Sequence, residues 1–173
     1  RRAHAEFPIA AVQSEYSLWS REHEIAVLAA CRELGTAFVA FSPLARGFLA
    51  DASLRPEAFV DGDIRRAMPR FQEPNFARND ELRSAFARLA GEAGCSMAQL
   101  ALAWVLAQGE HVHVIPGTTS REHLAENWGA QAVDAPADLL GRLDRLFEPS
   151  AVSGPRYGAA TLSEIDTESF TFA

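Results

Sequence analysis

The sequence predicts an α/β fold with parallel strands, and three observations predict it. Short apolar runs at residues 9–13, 36–41 and 112–115 are typical of buried strands. Segments with apolar residues at helical spacing separate these runs. Strands that alternate with helices favour parallel pairing. Three strands do not close a barrel and leave edges bare, so the sequence indicates a piece of a larger fold or half of an assembly.

The first half of the chain contains two of these strands. Residues 1–5 are typical of the last turn of a helix. We therefore expect these 173 residues to be part of a longer polypeptide chain. A helix is predicted over Glu22 to Leu34, with Gly35 as a natural stop. The second strand is followed, from Ala45 to Phe76, by repeated glycines and prolines that predict a long irregular loop.

Capping patterns predict the next two helices. Asn79 or Asp80 is a candidate cap for a helix that stops at Gly94. Ser96 and Gln99 form a capping box, because the two side chains can satisfy each other's free backbone amides.

The last strand is followed by two further predicted helices. Thr119 and Glu122 form a second capping box, for a helix with Leu124 and Trp128 expected to face inward. A final helix starts after Pro136 and carries four apolar leucines.

Composition excludes several classes of protein. The 173 residues are 48% hydrophobic and 23% charged, which fits one soluble globular domain. The net charge of −7 and the lack of a basic stripe disfavour a nucleic-acid partner. No apolar run approaches the roughly 20 residues of a membrane span. All 16 cations are arginines, so any catalytic lysine would have to come from outside this chain.

Cysteine and histidine usage points to a reducing compartment and away from metal chemistry. Cys31 and Cys95 are far apart in helix-like patterns, so we expect unpaired thiols and a cytoplasmic location. The five histidines have no spacing that suggests a metal site, and we expect them on the surface or at helix ends.

The first candidate site motif follows the first strand and begins with Gln13. Ligand sites in α/β folds lie at the carboxyl ends of strands. The Gln13 amide has both a donor and an acceptor, which suits a carboxamide ligand. The alternative is a polar residue that satisfies backbone groups at a strand end.

The second motif follows the second strand. Phe41 can offer an aromatic face, while Ser42, the following amides and Arg46 can meet an anion. Pro43, Leu44 and Gly47 complete the turn. The alternative is an ordinary strand-to-loop connection.

The third motif joins the last strand to a helix through Gly117, Thr118 and Thr119. Free amides, hydroxyls and the positive end of the helix dipole favour a phosphate. Arg121 adds a planar cation that can hold a phosphate through two hydrogen bonds. Glu126 and Asn127 follow one to two turns later and could hydrogen-bond a base; the alternative is a well-capped structural helix.

These motifs, in this order, resemble the C-terminal half of an aldo-keto reductase. The matching stretches are residues 11–18, 42–49 and 115–127, with Gly154-Pro155-Arg156-Tyr157 similar to that family's C-terminal tail. The resemblance covers nearly all of residues 1–173. It implies part of a (β/α)8 TIM barrel, namely its sixth, seventh and eighth strands within a single barrel domain.

The resemblance also implies roles for the site residues in binding NADP(H). Gln13 would bind the nicotinamide carboxamide and Phe41 would stack on the nicotinamide ring. The remaining contacts divide among the pyrophosphate (Ser42, Leu44, Arg46 and Gly47), the 2'-phosphate (Gly117, Thr118, Thr119 and Arg121) and the adenine (Glu126 and Asn127).

Two departures weaken the preference for NADP, so NAD stays an alternative. Some relatives have Lys where Gly117 stands and Arg where His123 stands, and both assist the 2'-phosphate. The family's catalytic Asp, Tyr, Lys and His come from the first half of the barrel, so no catalytic residue is assigned to this chain.

The function implied is reduction of an aldehyde or ketone to an alcohol, or the reverse, with this chain as the cofactor-binding half. Arg46, Phe71 and Trp19 are candidates for the lining of the substrate pocket, and the alternative is that they are packing or surface residues. The partners expected are a small carbonyl compound and either the rest of the barrel or a second copy. The alternatives are a nucleotide-sensing subunit and a non-catalytic half-barrel that serves as an interaction module.

Overall fold

Three parallel strands form one sheet, in the order in which they occur along the chain. In the computed structural model, which describes residues 1–171, they are β1 (Ala11–Glu15), β2 (Ala37–Phe41) and β3 (Val112–Ile115). The central strand β2 pairs with both neighbours, so that Phe41 lies beside Glu15 on one side and Ile115 on the other. The predicted α/β fold with parallel strands is confirmed, with β1 beginning two residues later than expected.

Seven α-helices accompany the sheet within the described residues. They are α1 (Arg2–Glu6), α2 (Val27–Leu34), α3 (Asn75–Glu92), α4 (Met97–Leu106), α5 (Arg121–Gly129), α6 (Ala137–Leu146) and α7 (Ala159–Leu162). Short 3-10 turns occupy much of the long loop between β2 and α3, at Ala45–Gly47, Pro56–Ala58, Ile64–Ala67 and Pro69–Phe71. Met68 and Phe71 are buried, so the core holds this loop in place.

Helices cover one face of the sheet. Phe38 and Ala40 are fully buried on that face, and Val112 is 3% exposed. The side chains of Gln13 and His113 are exposed on the opposite face, because successive residues of a strand point to opposite sides. Parallel sheets are normally buried on both faces, so the exposure of this face is unusual.

The core is built around α4, whose residues from Leu100 to Val105 are all buried. A helix that is apolar on all sides is stable only when other elements surround it. The indole nitrogen of Trp104 donates to Asp144 Oδ1 at 3.1 Å, and the Arg21 guanidinium lies 5.0 Å from the Trp104 ring centroid. The fully buried indole therefore keeps its one polar atom paired.

Several predicted helix boundaries are confirmed. Gly35 ends α2 in a left-handed conformation with φ of 66°, which costs glycine little. The Ser96 and Gln99 capping box is formed at the start of α4. Helix α6 begins after Pro136 and buries Leu139 and Leu143.

The prediction that Asn79 or Asp80 caps α3 is wrong. The helix begins at Asn75, and Asn79 is fully buried within it. Its side-chain amide nitrogen donates to the Ser153 and Arg70 carbonyls at 2.9 and 3.2 Å, and its oxygen accepts from the Ser153 amide at 2.9 Å. Asn79, a residue type that often caps helices, therefore binds the C-terminal segment at Ser153 to the middle of α3.

The predictions for the start and inner face of α5 are also wrong. Ser120, and not Thr119, caps the helix, with its hydroxyl accepting from the His123 amide at 3.2 Å. Leu124 is 61% exposed and Trp128 is 75% exposed, although both were expected to face inward. Helix α5 follows the edge strand β3, and no described element covers these two side chains.

His23, expected at the surface or a helix end, lies in the core, and the substrate-pocket candidates Trp19 and Phe71 are buried as well, with Trp19 also lining a small cavity. His23 is 6% exposed, and its ring centroid lies 5.6 Å from that of Phe38. Trp19 stacks on Phe48 with ring centroids 3.8 Å apart and meets Phe71 edge-on. Trp19 and Phe71 therefore belong mainly to an aromatic cluster of the core, because burying their large rings stabilises the fold.

Cys31 and Cys95 both carry free thiols, and burial raises the pKa of each. Across residues 1–171, no individual helix has the length and apolar character needed to cross a membrane. The pair α3 and α4, bent by 87° at their junction, meets that criterion by length and composition when taken together.

Replacing Asn79 by Ala should destabilise the fold by about 1 to 3 kcal/mol, because the buried Arg70 carbonyl and the partly buried backbone groups of Ser153 lose their partner. Urea denaturation followed by circular dichroism measures this change. Arg78→Ala, at an exposed position on the same helix, is the matched control and should change stability by less than about 0.5 kcal/mol. Equal effects of the two substitutions would contradict the assigned role of Asn79.

Candidate functional site

A cavity of about 810 Å³ opens at the carboxyl ends of β2 and β3. Three segments form it: the turn after β2, the turn at Ile64–Ala67 and the connection from β3 into α5. Its volume falls within the range of roughly 300 to 1,000 Å³ that is usual for small-molecule and cofactor sites.

Most of the residues predicted to bind a nucleotide line this one cavity. They are Phe41, Ser42, Pro43, Leu44, Arg46, Gly47, Gly117, Thr118, Glu126 and Asn127. Two motifs separated by about 70 residues are brought together because β2 and β3 are parallel neighbours whose ends share one edge of the sheet.

Three predicted residues lie outside the cavity lining. Gln13 is exposed on the uncovered face of β1 and pairs with Val39 of β2. Thr119 and Arg121 are exposed at the start of α5. Thr119 and Arg121 lie within three residues of Thr118, whereas Gln13 is brought near only by its pairing with β2; the roles of all three in binding stay predictions.

The turn after β2 has an unusual backbone. Ser42, Ala45 and Arg46 have φ values of 49°, 49° and 55°. Each such left-handed residue other than glycine costs about 1 to 3 kcal/mol and persists only when its surroundings enforce it. Gly47, with φ of 90°, adopts a similar region at little cost. The strain is concentrated in the segment that forms one wall of the cavity.

Arg65, which the sequence analysis missed, forms part of the opposite wall. Its guanidinium makes hydrogen bonds of 2.7 to 3.2 Å to the Asp63 carboxylate and lies 4.0 Å from the Phe59 ring centroid. Its Nη1 also donates to the Arg46 carbonyl at 3.2 Å. Asp63 accepts a hydrogen bond from the Arg65 amide, and this Asx-turn pattern was the available sequence signal.

Hydrogen bonds made by the hydroxyl groups of Thr118 and Ser120 stabilise the connection from β3 into α5. Thr118 Oγ1 accepts from the Ser120 amide at 3.1 Å, and Ser120 Oγ donates to Glu122 Oε2 at 2.7 Å. This hydrogen bond from Ser120 lowers the pKa of Glu122. Gly117 is exposed, and a side chain there would have open space. His123 lies on the cavity wall just inside the helix.

A buried ion network borders the cavity beside Arg46. The Glu15 carboxylate, 5% exposed at the end of β1, accepts a hydrogen bond of 2.5 Å from the Tyr157 hydroxyl. Arg46 Nη2 donates to that hydroxyl at 2.8 Å and lies 3.9 Å from Glu15 Oε2. Arg156 Nε lies 4.0 Å from the same oxygen. Burial, and then the bond to Glu15, raise the pKa of Tyr157.

The cavity wall has charged side chains of both signs, because the carboxylates of Asp51, Asp63 and Glu126 line it together with two arginines. Arg46, Arg65 and His123 contribute side chains, and Arg46 Nε is buried without a hydrogen-bond partner among residues 1–171. Phe41 adds an aromatic ring at the end of β2. An elongated ligand that combines anionic groups with flat rings fits this surface.

Comparison with known proteins agrees with this geometry. The model of the aldo/keto reductase family matches residues 1–148. The chain is 41% identical over 172 aligned residues to aldo-keto reductase yakc of Schizosaccharomyces pombe, whose name includes NADP(+). That alignment covers 96% of this chain and 51% of the relative, so the chain spans about half the length of this curated relative.

Solved structures give the same result for the fold. The glycerol dehydrogenase AKR11B4 from Gluconobacter oxydans has a TM-score of 0.76 and 24% identity, covering 88% of this chain and 46% of that one. An aldo/keto reductase from Klebsiella pneumoniae in complex with NADP and acetate has a TM-score of 0.59 and 28% identity, covering 80% and 39%.

The partial barrel expected from the sequence is thus confirmed, since the structural neighbours are (β/α)8 barrels and the parallel sheet matches a part of them. The family match covers most of the chain, and the sequence similarity extends beyond it. This chain belongs to the aldo/keto reductase family.

Proposed function

We propose that this chain is the cofactor-binding half of an NADP(H)-dependent carbonyl oxidoreductase. The observation that carries the proposal is that the two motifs after β2 and β3 line one cavity, with Arg46 and Arg65 in its wall. The names of the yeast relative and of the Klebsiella pneumoniae complex, which refer to NADP, support the choice of cofactor. The complete barrel would reduce an aldehyde or ketone, or oxidise the alcohol.

The cavity residues fit the parts of such a nucleotide. Phe41 would stack on the nicotinamide, and Gln13 on the neighbouring strand would hold its carboxamide. Ser42, Leu44, Arg46 and Gly47 would bind the pyrophosphate, to which Arg46 would offer its guanidinium. Gly117, Thr118, Thr119 and Arg121 would hold the 2'-phosphate, with Glu126 and Asn127 at the adenine.

The cofactor, when bound, supplies a hydride for transfer to the carbonyl carbon. This chain's residues would orient the nicotinamide and neutralise the phosphates, while the proton comes from a residue elsewhere in the barrel. The two tyrosines are already engaged: Tyr16 is fully buried and donates to Glu24 at 2.8 Å, and Tyr157 donates to Glu15. Because the sequence contains no lysine, we propose that this chain alone does not catalyse the reduction of a carbonyl compound.

The uncovered surfaces suit the rest of a barrel as partner. One face of the sheet is exposed at Gln13 and His113, and Ile115 is 46% exposed beside the free edge of β3. Leu124 and Trp128 are exposed on the adjoining helix. We propose that the complementary strands and helices cover these surfaces, with self-association through the same edges as the alternative. The free thiols support a cytoplasmic location.

Turnover separates the enzyme from a nucleotide-sensing or non-catalytic module. We expect residues 1–173, mixed with NADPH and a generic aldehyde, to bind the nucleotide without consuming it, as followed by absorbance at the nicotinamide band. Clear consumption of NADPH would contradict the proposal that this chain contains no catalytic proton donor. In the complete barrel the same assay should show turnover, whereas nucleotide binding without turnover there would favour the sensing alternative.

The 2'-phosphate assignment predicts a selective effect of Arg121→Ala. Loss of a charge-assisted hydrogen bond should weaken NADPH binding about tenfold and leave NADH binding within about twofold. Nucleotide fluorescence titration measures both affinities. Arg78→Ala, which removes an exposed arginine from α3, is the control for lost charge. Equal losses for the two nucleotides would contradict the assignment.

A gain of affinity should follow from Gly117→Lys. A Cβ at this position meets no atom within 4 Å, and a lysine there would add a cation beside the proposed 2'-phosphate position. We expect NADPH to bind about fivefold more tightly, with NADH changed less. Gly91→Lys adds the same charge at an equally open position on α3 and should change neither affinity. A similar gain from Gly91→Lys would show a general charge effect instead.

A further inference from the structure

The C-terminal segment at Gly154–Gly158 reaches the rim of the nucleotide cavity through Tyr157. The Tyr157 hydroxyl stands between two charged groups, donating to Glu15 Oε2 at 2.5 Å and accepting from Arg46 Nη2 at 2.8 Å. Both guanidiniums of the cluster lie near its ring, Arg46 at 5.7 Å and Arg156 at 5.2 Å from the centroid. The tail is thus in direct contact with a cation of the cavity wall.

Arg46 depends on this contact for the position of its side chain. Its backbone is in the left-handed region, with φ of 55° and ψ of 37°, and its carbonyl is held by Arg65. Among residues 1–171, the guanidinium has one hydrogen bond of ordinary length, to Tyr157, since Glu15 is 3.9 Å away. Without the hydroxyl, a long flexible side chain would regain several rotamers.

The charges of the cluster explain why a tyrosine is suited to this place. Glu15 is a carboxylate buried at a strand end, and Arg46 and Arg156 are its nearest cations. A direct Glu15–Arg46 hydrogen bond would draw the guanidinium toward the carboxylate and away from an anionic ligand. The hydroxyl, inserted between them, satisfies Glu15 while it holds the guanidinium at the cavity wall.

Other contacts fasten the tail independently of the hydroxyl. Arg70 Nε donates to the Gly154 carbonyl at 3.0 Å, and Ser153 is held by Asn79. A Cβ on Gly154 would lie 2.6 Å from the amide nitrogen of Asn75, so the chain is closely packed there. Removing one oxygen from Tyr157 should therefore leave the segment docked.

We propose that Tyr157 is a positioning residue for the nucleotide site: its hydroxyl, held by Glu15, fixes the Arg46 guanidinium where it meets the pyrophosphate. This inference rests on the proposed function of the cavity. It makes the C-terminal segment part of the cofactor site, although no residue of that segment lines the cavity. Because both nicotinamide nucleotides carry the pyrophosphate, Tyr157 should act equally on NADPH and NADH.

The test is a double-mutant cycle on nucleotide affinity, measured with the full chain by fluorescence titration. Tyr157→Phe should weaken NADPH and NADH alike by about fivefold. In the Arg46→Gln background the same substitution should change either affinity by less than about 1.5-fold, because the group that Tyr157 positions is gone. Tyr16→Phe removes the chain's other tyrosine hydroxyl, also bonded to a glutamate, and should leave both affinities unchanged.

The outcomes separate this inference from the function on which it rests. If the unaltered chain binds neither nucleotide, the proposed function fails. If it binds both, three results would each overturn the positioning role. They are an unchanged nucleotide affinity in Tyr157→Phe, an equally large loss of affinity from Tyr157→Phe in the Arg46→Gln background, and a loss of affinity for NADPH alone. Should Tyr157→Phe lower the melting temperature strongly, Glu15→Gln provides a second variant. It should weaken the binding of both nucleotides, and this effect should disappear in the Arg46→Gln background.

Discussion

Parallel pairing of β2 with both of its neighbours is the constraint on which the candidate site depends. In register, Glu15, Phe41 and Ile115 lie side by side across the sheet. The chain leaves each strand in the same direction, so three segments distant in sequence emerge at one edge. The cavity, the strained turn after β2 and the entry to α5 all follow from that alignment. A shift of register by one residue would turn Phe41 to the helix-covered face.

The strained turn and the ion network are two parts of one arrangement. Ser42, Ala45 and Arg46 adopt left-handed backbone conformations that need support from surrounding structure. Arg65 supplies support at the Arg46 carbonyl, and Tyr157 does so at its guanidinium. A buried carboxylate such as Glu15 is tolerated because a hydroxyl and two guanidiniums surround it. The Arg46 backbone is thus held by Arg65, which is part of the cavity wall, and its guanidinium by Tyr157, which is not.

The uncovered sheet face explains where the sequence patterns and the observed burial diverge. Trp128 and Leu124 have the helical spacing of core residues, yet both are exposed. Their pattern is consistent with a helix flanked on both sides in a closed barrel, and β3 ends the sheet of this chain. Burying large apolar side chains stabilises a protein by about 1.5 to 3 kcal/mol each, so a partner that covers this surface gains substantially.

The sequence by itself determined the alternation of strands and helices, the helix end at Gly35, the helix start after Pro136, and most of the cavity lining from Phe41 to Asn127. Those features depend on local periodicity, capping and turn chemistry, which a short segment contains in full. The tertiary structure alone decided that Asn79 fastens the tail, that His23 is buried, and that Arg65, Glu15 and Tyr157 meet at Arg46. Contacts between residues many positions apart depend on how the elements pack, and no local pattern records that packing.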